Sequence, residues 1–129
     1  MIYRKMLKSK IHRARVTHAD LNYEGSITVA PELLAAANIL PFEAVNVWNV
    51  TAGTRFETYA IEGTPFSTAV CVNGAAAHLV TPGDIIIIAS FVQLTEELCK
   101  NYDPTVVFVD ENNHCVEIRP ETVALIEEL

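Results

Sequence analysis

Beyond Arg15, this 129-residue chain carries only three basic residues, Arg55, Lys100 and Arg119. All sixteen acidic residues fall in that same stretch, so it is strongly anionic, and the whole chain has a net charge of −7. Bulk attraction to nucleic acid or to an anionic membrane is not expected of such a body. Long apolar runs are also missing. None exceeds the length of Ile85 to Ala89, far short of the roughly 20 residues a membrane span needs. No apolar segment of secretory length follows the basic N-terminus. Cysteine is sparse: Cys71, Cys99 and Cys115 are odd in number and lack CxxC spacing. A disulfide framework is not expected on that pattern, and free thiols suit a reducing compartment, so a cytoplasmic location is expected. Asn49-Val50-Thr51 matches a glycosylation acceptor, which means nothing without secretion.

Local chemistry motifs are equally scarce. His12, His18, His78 and His114 do not fall at metal-ligand spacings, and no metal is assigned. A site assembled only in three dimensions stays open. There is no glycine-rich phosphate loop and no GxSxG elbow.

What the chain does have is a core and an asymmetry. Half of its residues are hydrophobic, enough for a real core in one domain spanning residues 1–129. Six of the nine basic residues, Arg4, Lys5, Lys8, Lys10, Arg13 and Arg15, precede the first acid, Asp20. A basic arm therefore adjoins an acidic body.

Short strands separated by turn signals dominate the pattern. Arg15–Thr17 and Ser26–Ala30 read as strands around a polar turn, and Pro31–Ala37 as a helix of at most two turns. Val45, Val47 and Val50 interleave with Asn46 and Asn49 around Trp48, close to strand alternation. Thr51–Thr54 reads as a hairpin loop leading into Arg55–Glu62. That strand divides Phe56, Thr58 and Ala60 from Arg55, Glu57, Tyr59 and Ile61. Ala69–Val72 is a strand turned by Asn73-Gly74, and Ala75–Ala77 one helical turn. Ile85–Val92 gives the strongest strand signal and reads as central, buried on both faces. Thr95 reads as the cap of a short turn through Leu98. Val106–Val109 and Cys115–Ile118 form a hairpin about Asp110–Asn113. The tail, Glu121–Leu129, has helical amphipathicity. This pattern predicts a mainly β fold, a small closed barrel with short helices.

Chemistry concentrates at Tyr23-Glu24-Gly25-Ser26. Glycine can take backbone angles closed to other residues and leaves its carbonyl carbon sterically open. A serine directly after it can attack that carbonyl in an N-to-O acyl shift. β-Elimination of the ester then cuts the chain, and hydrolysis of the new dehydroalanine end gives a pyruvoyl group. Gly-Ser is a common dipeptide, and in isolation an ordinary hairpin turn is the far better explanation of it.

Its neighbours are more specific. Val16-Thr17-His18-Ala19-Asp20-Leu21-Asn22-Tyr23-Glu24-Gly25-Ser26, Val47–Thr51, Arg55–Ile61, Val72–His78 and Gly83–Phe91 follow one another in a distinctive order and spacing. In this combination the chain resembles the pyruvoyl-dependent aspartate 1-decarboxylases of bacterial pantothenate synthesis. The resemblance covers roughly the first three quarters of the chain and is loose beyond Leu94. It implies a double-psi β-barrel, a homotetramer with active sites between subunits, and conversion of L-aspartate to β-alanine and carbon dioxide. It also implies self-cleavage into residues 1–25 and 26–129, in some relatives with an accessory maturation factor.

By the same resemblance, the pyruvoyl group made from Ser26 is the cofactor. Decarboxylation at Cα leaves a carbanion, and a ketone that forms a Schiff base with the substrate amine is the electron sink it needs. Arg55 resembles the residue that grips a substrate carboxylate, which guanidinium does bidentately. Lys10 and His12 are similar to residues that line the pocket. Tyr59 resembles the proton donor to Cα, and Thr58 the hydroxyl that assists backbone cleavage and borders the substrate. Asn73 looks like a pocket hydrogen-bonding residue, and Gly74, Ala75 and Ala76 like the substrate-contact segment. Without the resemblance, each is an ordinary surface, strand or turn residue.

Two alternatives stand beside this reading. One keeps the pyruvoyl group and changes the amino acid, since one arginine with nearby positive charge selects an acidic substrate in general. The other is a non-enzymatic barrel that binds nucleic acid through its basic arm. The acidic body and the lack of interleaved aromatics in the arm argue against it.

Overall fold

A computed structural model describes residues 1–121; the expected helical tail lies almost entirely outside the described residues. The chain forms β1 (Tyr3–Arg15), β2 (His18–Asp20), β3 (Ser26–Val29), α1 (Pro31–Ala36), β4 (Ala44–Asn49) and β5 (Arg55–Glu62). After these come β6 (Cys71–Asn73), a 3₁₀ segment (Gly74–Leu79), β7 (Ile85–Thr95), α2 (Glu96–Cys99), β8 (Thr105–Val109) and β9 (Cys115–Pro120). All nine strands join one hydrogen-bonded sheet in the order β2-β6-β3-β5-β4-β7-β1-β8-β9. The fold is therefore mainly β and barrel-like, with short helices, as the turn-rich pattern implies.

The two ends of that order are drawn together by side-chain bonds. Asn113, in the β8–β9 turn, donates through Nδ2 to the carbonyls of Arg15 and Thr68 and accepts the Arg15 N–H at Oδ1. Thr68 stands just before β6, so the turn next to edge strand β9 is tied to the segment that feeds the strand beside the opposite edge, β2. Asn113 is 2% exposed and has a φ of 61°. The sequence marks this stretch only as a loop, yet one of its polar residues is a buried clamp.

β1 is the largest departure from the sequence expectation, which begins a strand only at Arg15. Its cationic side chains mask the alternation. Ser9 and Ile11 are buried, while Lys8, Lys10 and His12 between and beside them are half-buried. Register shifts interrupt its pairing with β7 after Leu7 and after Ile11. Arg13, with a φ of 64°, sits in the second shift, and the next buried residue is Ala14. Such bulges bend a strand and let it follow a curved sheet. The arm's cations find partners on the acidic body. Arg4 bonds Glu96 at 2.7 Å, Lys8 bonds Glu43 at 2.6 Å and Lys10 bonds Glu121 at 3.0 Å. Lys5 lies 5.0 Å from the centre of the Phe91 ring.

One apolar core fills the interior, drawn from Ile11, Ile27, Leu33, Leu34, Val47, Ile86 and Ile88 among others. β7 is central, between β4 and β1. Its second face is only half covered, because Ile85, Ile87 and Phe91 keep partial exposure. α1 begins at Pro31, whose missing N–H costs nothing in a first turn, and buries Leu33 and Leu34. Asn73 ends β6, and Gly74 opens the 3₁₀ segment directly, so no hairpin turn forms there. Thr95 precedes α2 without a side-chain capping bond. No helix among the described residues is long and apolar enough to cross a membrane.

Asn113 should be the most sensitive polar position outside the site. Asn113→Ala leaves three backbone groups without this partner and a non-glycine residue at positive φ. It should lower unfolding free energy by about 2–4 kcal/mol, read from urea denaturation.

Candidate functional site

Strand pairing builds the site around Ser26. β3 runs antiparallel to β6, with Ser26 opposite Asn73, and parallel to β5, with Ile27 opposite Ala60. Ser26 and Tyr59 each stand one residue before that last pair. The Ser26 side chain is 1% exposed. Its Oγ accepts a hydrogen bond from Asn73 Nδ2 at 2.9 Å and donates to the Glu24 carbonyl at 3.4 Å. The hydroxyl is thus folded back over the segment that precedes it, onto the Glu24 carbonyl. Asn73 Nδ2 also donates to Thr28 Oγ1 at 3.1 Å, a contact the sequence does not announce. Asn73 borders a cleft of about 490 Å³ with Thr17, His18, Asp20 and Cys71. Burial pushes the Cys71 thiol up, and the nearby Asp20 carboxylate acts in the same direction, so it is not a ready nucleophile.

The residues after Asn73 complete one wall. Gly74 is buried with a φ of 74°, and a Cβ placed on it would stand 2.7 Å from Gly25 Cα. Ala75 is exposed and Ala76 half-buried. The conformational demand expected at Gly25 lies elsewhere. Gly25 is not among the positive-φ glycines, and a Cβ there would meet nothing within 4 Å. Its open carbonyl remains a reason for glycine at that position, whereas the left-handed backbone belongs to Gly74.

β5 supplies the other expected residues. Arg55 is exposed and stacks over Trp48, with Cζ 4.9 Å from the ring centre. That contact leaves the planar fork to be aimed by a rigid aromatic surface. Thr58 is half-buried opposite Val45, and Tyr59 is half-buried beside Phe42, with ring centres 6.4 Å apart. The hydrogen-bond partners of Ser26 Oγ are Asn73 and Glu24, and Thr58 stands on the neighbouring strand.

Lys10 and His12 sit apart from this group within one chain. In the sheet order β5, β4 and β7 stand between β3 and β1. The two residues line a separate cleft of about 160 Å³ with Val106, Phe108, Arg119 and Glu121. His12 packs edge-on against Phe108, with centroids 5.4 Å apart. Burial holds its imidazole below the ordinary value, and the charges of Lys10 and Arg13 add to this.

A match to known proteins now bears on this arrangement. The family model described as aspartate decarboxylase matches residues 2–116. The chain belongs to the aspartate decarboxylase family. An aspartate 1-decarboxylase of Legionella pneumophila (strain Lens) is 73% identical over 125 residues, covering 97% of this chain and 94% of that protein. One from Syntrophotalea carbinolica is 61% identical over 110 residues, 85% of this chain and 84% of its own. One from Rhodopirellula baltica is 59% identical over 119 residues, 92% of this chain and 76% of its own. The match reaches well past Leu94, where the sequence resemblance loosened. Family membership favours the enzyme over the nucleic-acid module, and the arm's pairs with Glu43, Glu96 and Glu121 give its charge an internal use.

The low imidazole value of His12 has a pH consequence. Its neutral form is favoured on folding, so its contribution is full above the unfolded value of 6.5 and is lost as pH falls toward the folded value. Urea midpoints at about pH 7.5 and about pH 5 should therefore differ less for His12→Gln than for the unmodified protein.

Proposed function

We propose that this chain cuts itself between Gly25 and Ser26 and then decarboxylates L-aspartate to β-alanine and carbon dioxide, for pantothenate synthesis. The observation that carries the reading is the buried Ser26 hydroxyl, folded back over the Gly25 segment and held by Asn73, in a chain of this family.

The processing chemistry balances on the residues present. Ser26 Oγ bonds to the Gly25 carbonyl carbon as the Gly25–Ser26 C–N bond breaks, and the hydroxyl proton passes to the freed nitrogen. Loss of the Ser26 Cα proton then expels Gly25 as a carboxylate and leaves dehydroalanine at position 26. Water hydrolyses that end, ammonia leaves, and a pyruvoyl group remains. The residues fit this group: the oxygen-bearing carbon starts out buried and faced by an amide donor. In place, such a group supplies the electron sink that decarboxylation at Cα requires.

The other residues bind and position. Arg55 holds a substrate carboxylate, its guanidinium steadied on Trp48. Backbone N–H groups of Gly74, Ala75 and Ala76 approach the anion closely because no large side chain intervenes. Asn73 stays as a donor beside position 26, and Thr58 assists cleavage from β5. The Tyr59 phenol returns a proton to Cα. Lys10 adds positive charge and His12 a neutral, hydrogen-bonding imidazole from a neighbouring copy, in a homotetramer with sites between subunits, which accords with their distance from Ser26 in the sheet order. The three free thiols are compatible with a cytoplasmic setting.

Intact-mass analysis should find residues 1–25 and 26–129 as separate chains, the larger with a blocked N-terminus. A species that stays full-length after long incubation opposes autonomous processing and directs the search to a maturation factor. Ser26→Ala should abolish both cleavage and carbon dioxide release, and residual release would refute the pyruvoyl assignment. Arg55→Ala should raise KM for aspartate about 10–100-fold with a smaller effect on kcat, since it removes a charge-assisted bidentate contact. An unchanged KM removes Arg55 from the substrate site. Assaying L-glutamate beside L-aspartate distinguishes the second amino acid reading.

A further inference from the structure

Gly74 is held to glycine by more than its φ. A Cβ on it would stand 2.7 Å from Gly25 Cα, 2.9 Å from Gly25 N and 3.2 Å from the Tyr23 carbonyl oxygen. Real Cβ atoms essentially never come within 3.0 Å of such neighbours. All three are backbone atoms, so no flexible side chain can swing aside. Gly53 provides the contrast inside the same chain. Its φ is 79°, and a Cβ there would meet nothing within 4 Å.

The wall that carries Gly74 is anchored at both ends. Asn73 is fixed by its ladder pairing and by its amide bonds to Ser26 and Thr28. At the far end, the Leu79 carbonyl accepts from Thr54 Oγ1 at 2.6 Å and from Asn49 Nδ2 at 3.3 Å. Asn49 in turn donates to the buried Asp84 carboxylate at 2.8 Å. Gly25, by contrast, is exposed with open space on its own Cβ side.

We propose that Gly74 is a positioning residue for self-cleavage: its bare Cα forms a fixed stop on which the Gly25 backbone rests, presenting the Gly25–Ser26 peptide to the Ser26 hydroxyl. Adjacent residues thus divide the work, Asn73 holding the attacking oxygen and Gly74 the chain it attacks. This assigns Gly74 a function before any substrate arrives, distinct from contact with aspartate, and it rests on the self-cleavage reading.

The test follows cleavage of freshly purified protein by intact mass, with melting temperatures measured in parallel. Unmodified protein, Gly53→Ala and Gly74→Ala are compared. The two alanine variants carry the same kind of backbone strain, and only the second meets Gly25. Gly53→Ala should cleave at the unmodified rate. Gly74→Ala should cleave about 100-fold more slowly, the scale of an ångström-sized misplacement of reacting groups, while melting close to Gly53→Ala. Hydroxylamine, which splits an ester at Gly25, should release fragments from the unmodified precursor and not from Gly74→Ala. Equal cleavage rates, or an ester that accumulates in Gly74→Ala, overturn the proposal. If Gly74→Ala does not fold, Thr54→Val replaces it, because it removes only the shorter of the two bonds on the Leu79 carbonyl. A several-fold slower cleavage then supports the proposal, and an unchanged rate overturns it. Unmodified protein that never cleaves, even with hydroxylamine, refutes autonomous self-cleavage, the reading on which this proposal rests.

Discussion

β3 is pinned along both edges, parallel to β5 on one side and antiparallel to β6 on the other. Four residues long, it has no freedom to slip, because Ile27 and Val29 are fully buried in the core. A shift of one residue would exchange the faces of every side chain on it. Ser26 inherits its position from that register. So does the bond from Asn73, which exists because Ser26 and Asn73 are direct partners across the β3–β6 ladder. The hydrophobic core and the chemistry are linked here by one strand, and packing far from the cleft decides where a hydroxyl points.

Charge plays a different part. The arm's ion pairs differ in burial: Arg4 and Glu96 are 57% and 38% exposed, and Lys8 and Glu43 13% and 24%. Exposed pairs of the first kind contribute about 0–1 kcal/mol. Lys8 also donates to the Asn38 carbonyl, so it bridges β1 to the end of α1 and to the start of β4. These contacts set where the arm lies more than how tightly the protein folds. In the cleft that Lys10 and His12 line, burial first and then the charges of Lys10 and Arg13 lower the imidazole value of His12.

The parts of the fold legible in the sequence are those where side-chain period and turn chemistry agree. Pro31 starts a helix where the structure has one, β5 matches its expected limits, and the isoleucines of β7 mark a central strand. β1 escapes because lysine and arginine occupy its solvent side and two bulges break its period. Asn113 escapes because a buried polar residue in a turn looks like any other asparagine until its three bonds are seen. For the site, family motifs gather Ser26, Arg55, Thr58, Tyr59 and Asn73 onto neighbouring strands, with Gly25 just before the first of them. They could not separate Lys10 and His12 from that group, since sheet order is not written in local spacing. Thr28 gave no signal at all. The glycine requirement was assigned to Gly25 on general grounds, and only the approach of two backbones shows that Gly74 carries it.

The pairing of β1 has a consequence for the molecule after the proposed cut. Residues 3–15 stay zipped between β7 and β8, with Ile11 and Ala14 in the core. The short fragment therefore remains as a non-covalent subunit. Within one protomer, unfolding the precursor leaves a single chain, whereas unfolding the cleaved product separates two species, which adds a further dependence on protein concentration. Reassembly must then join two strangers where the precursor joined neighbours. Cleavage thus adds a concentration term to the fold, and the precursor is the form in which that strand is tethered to its place.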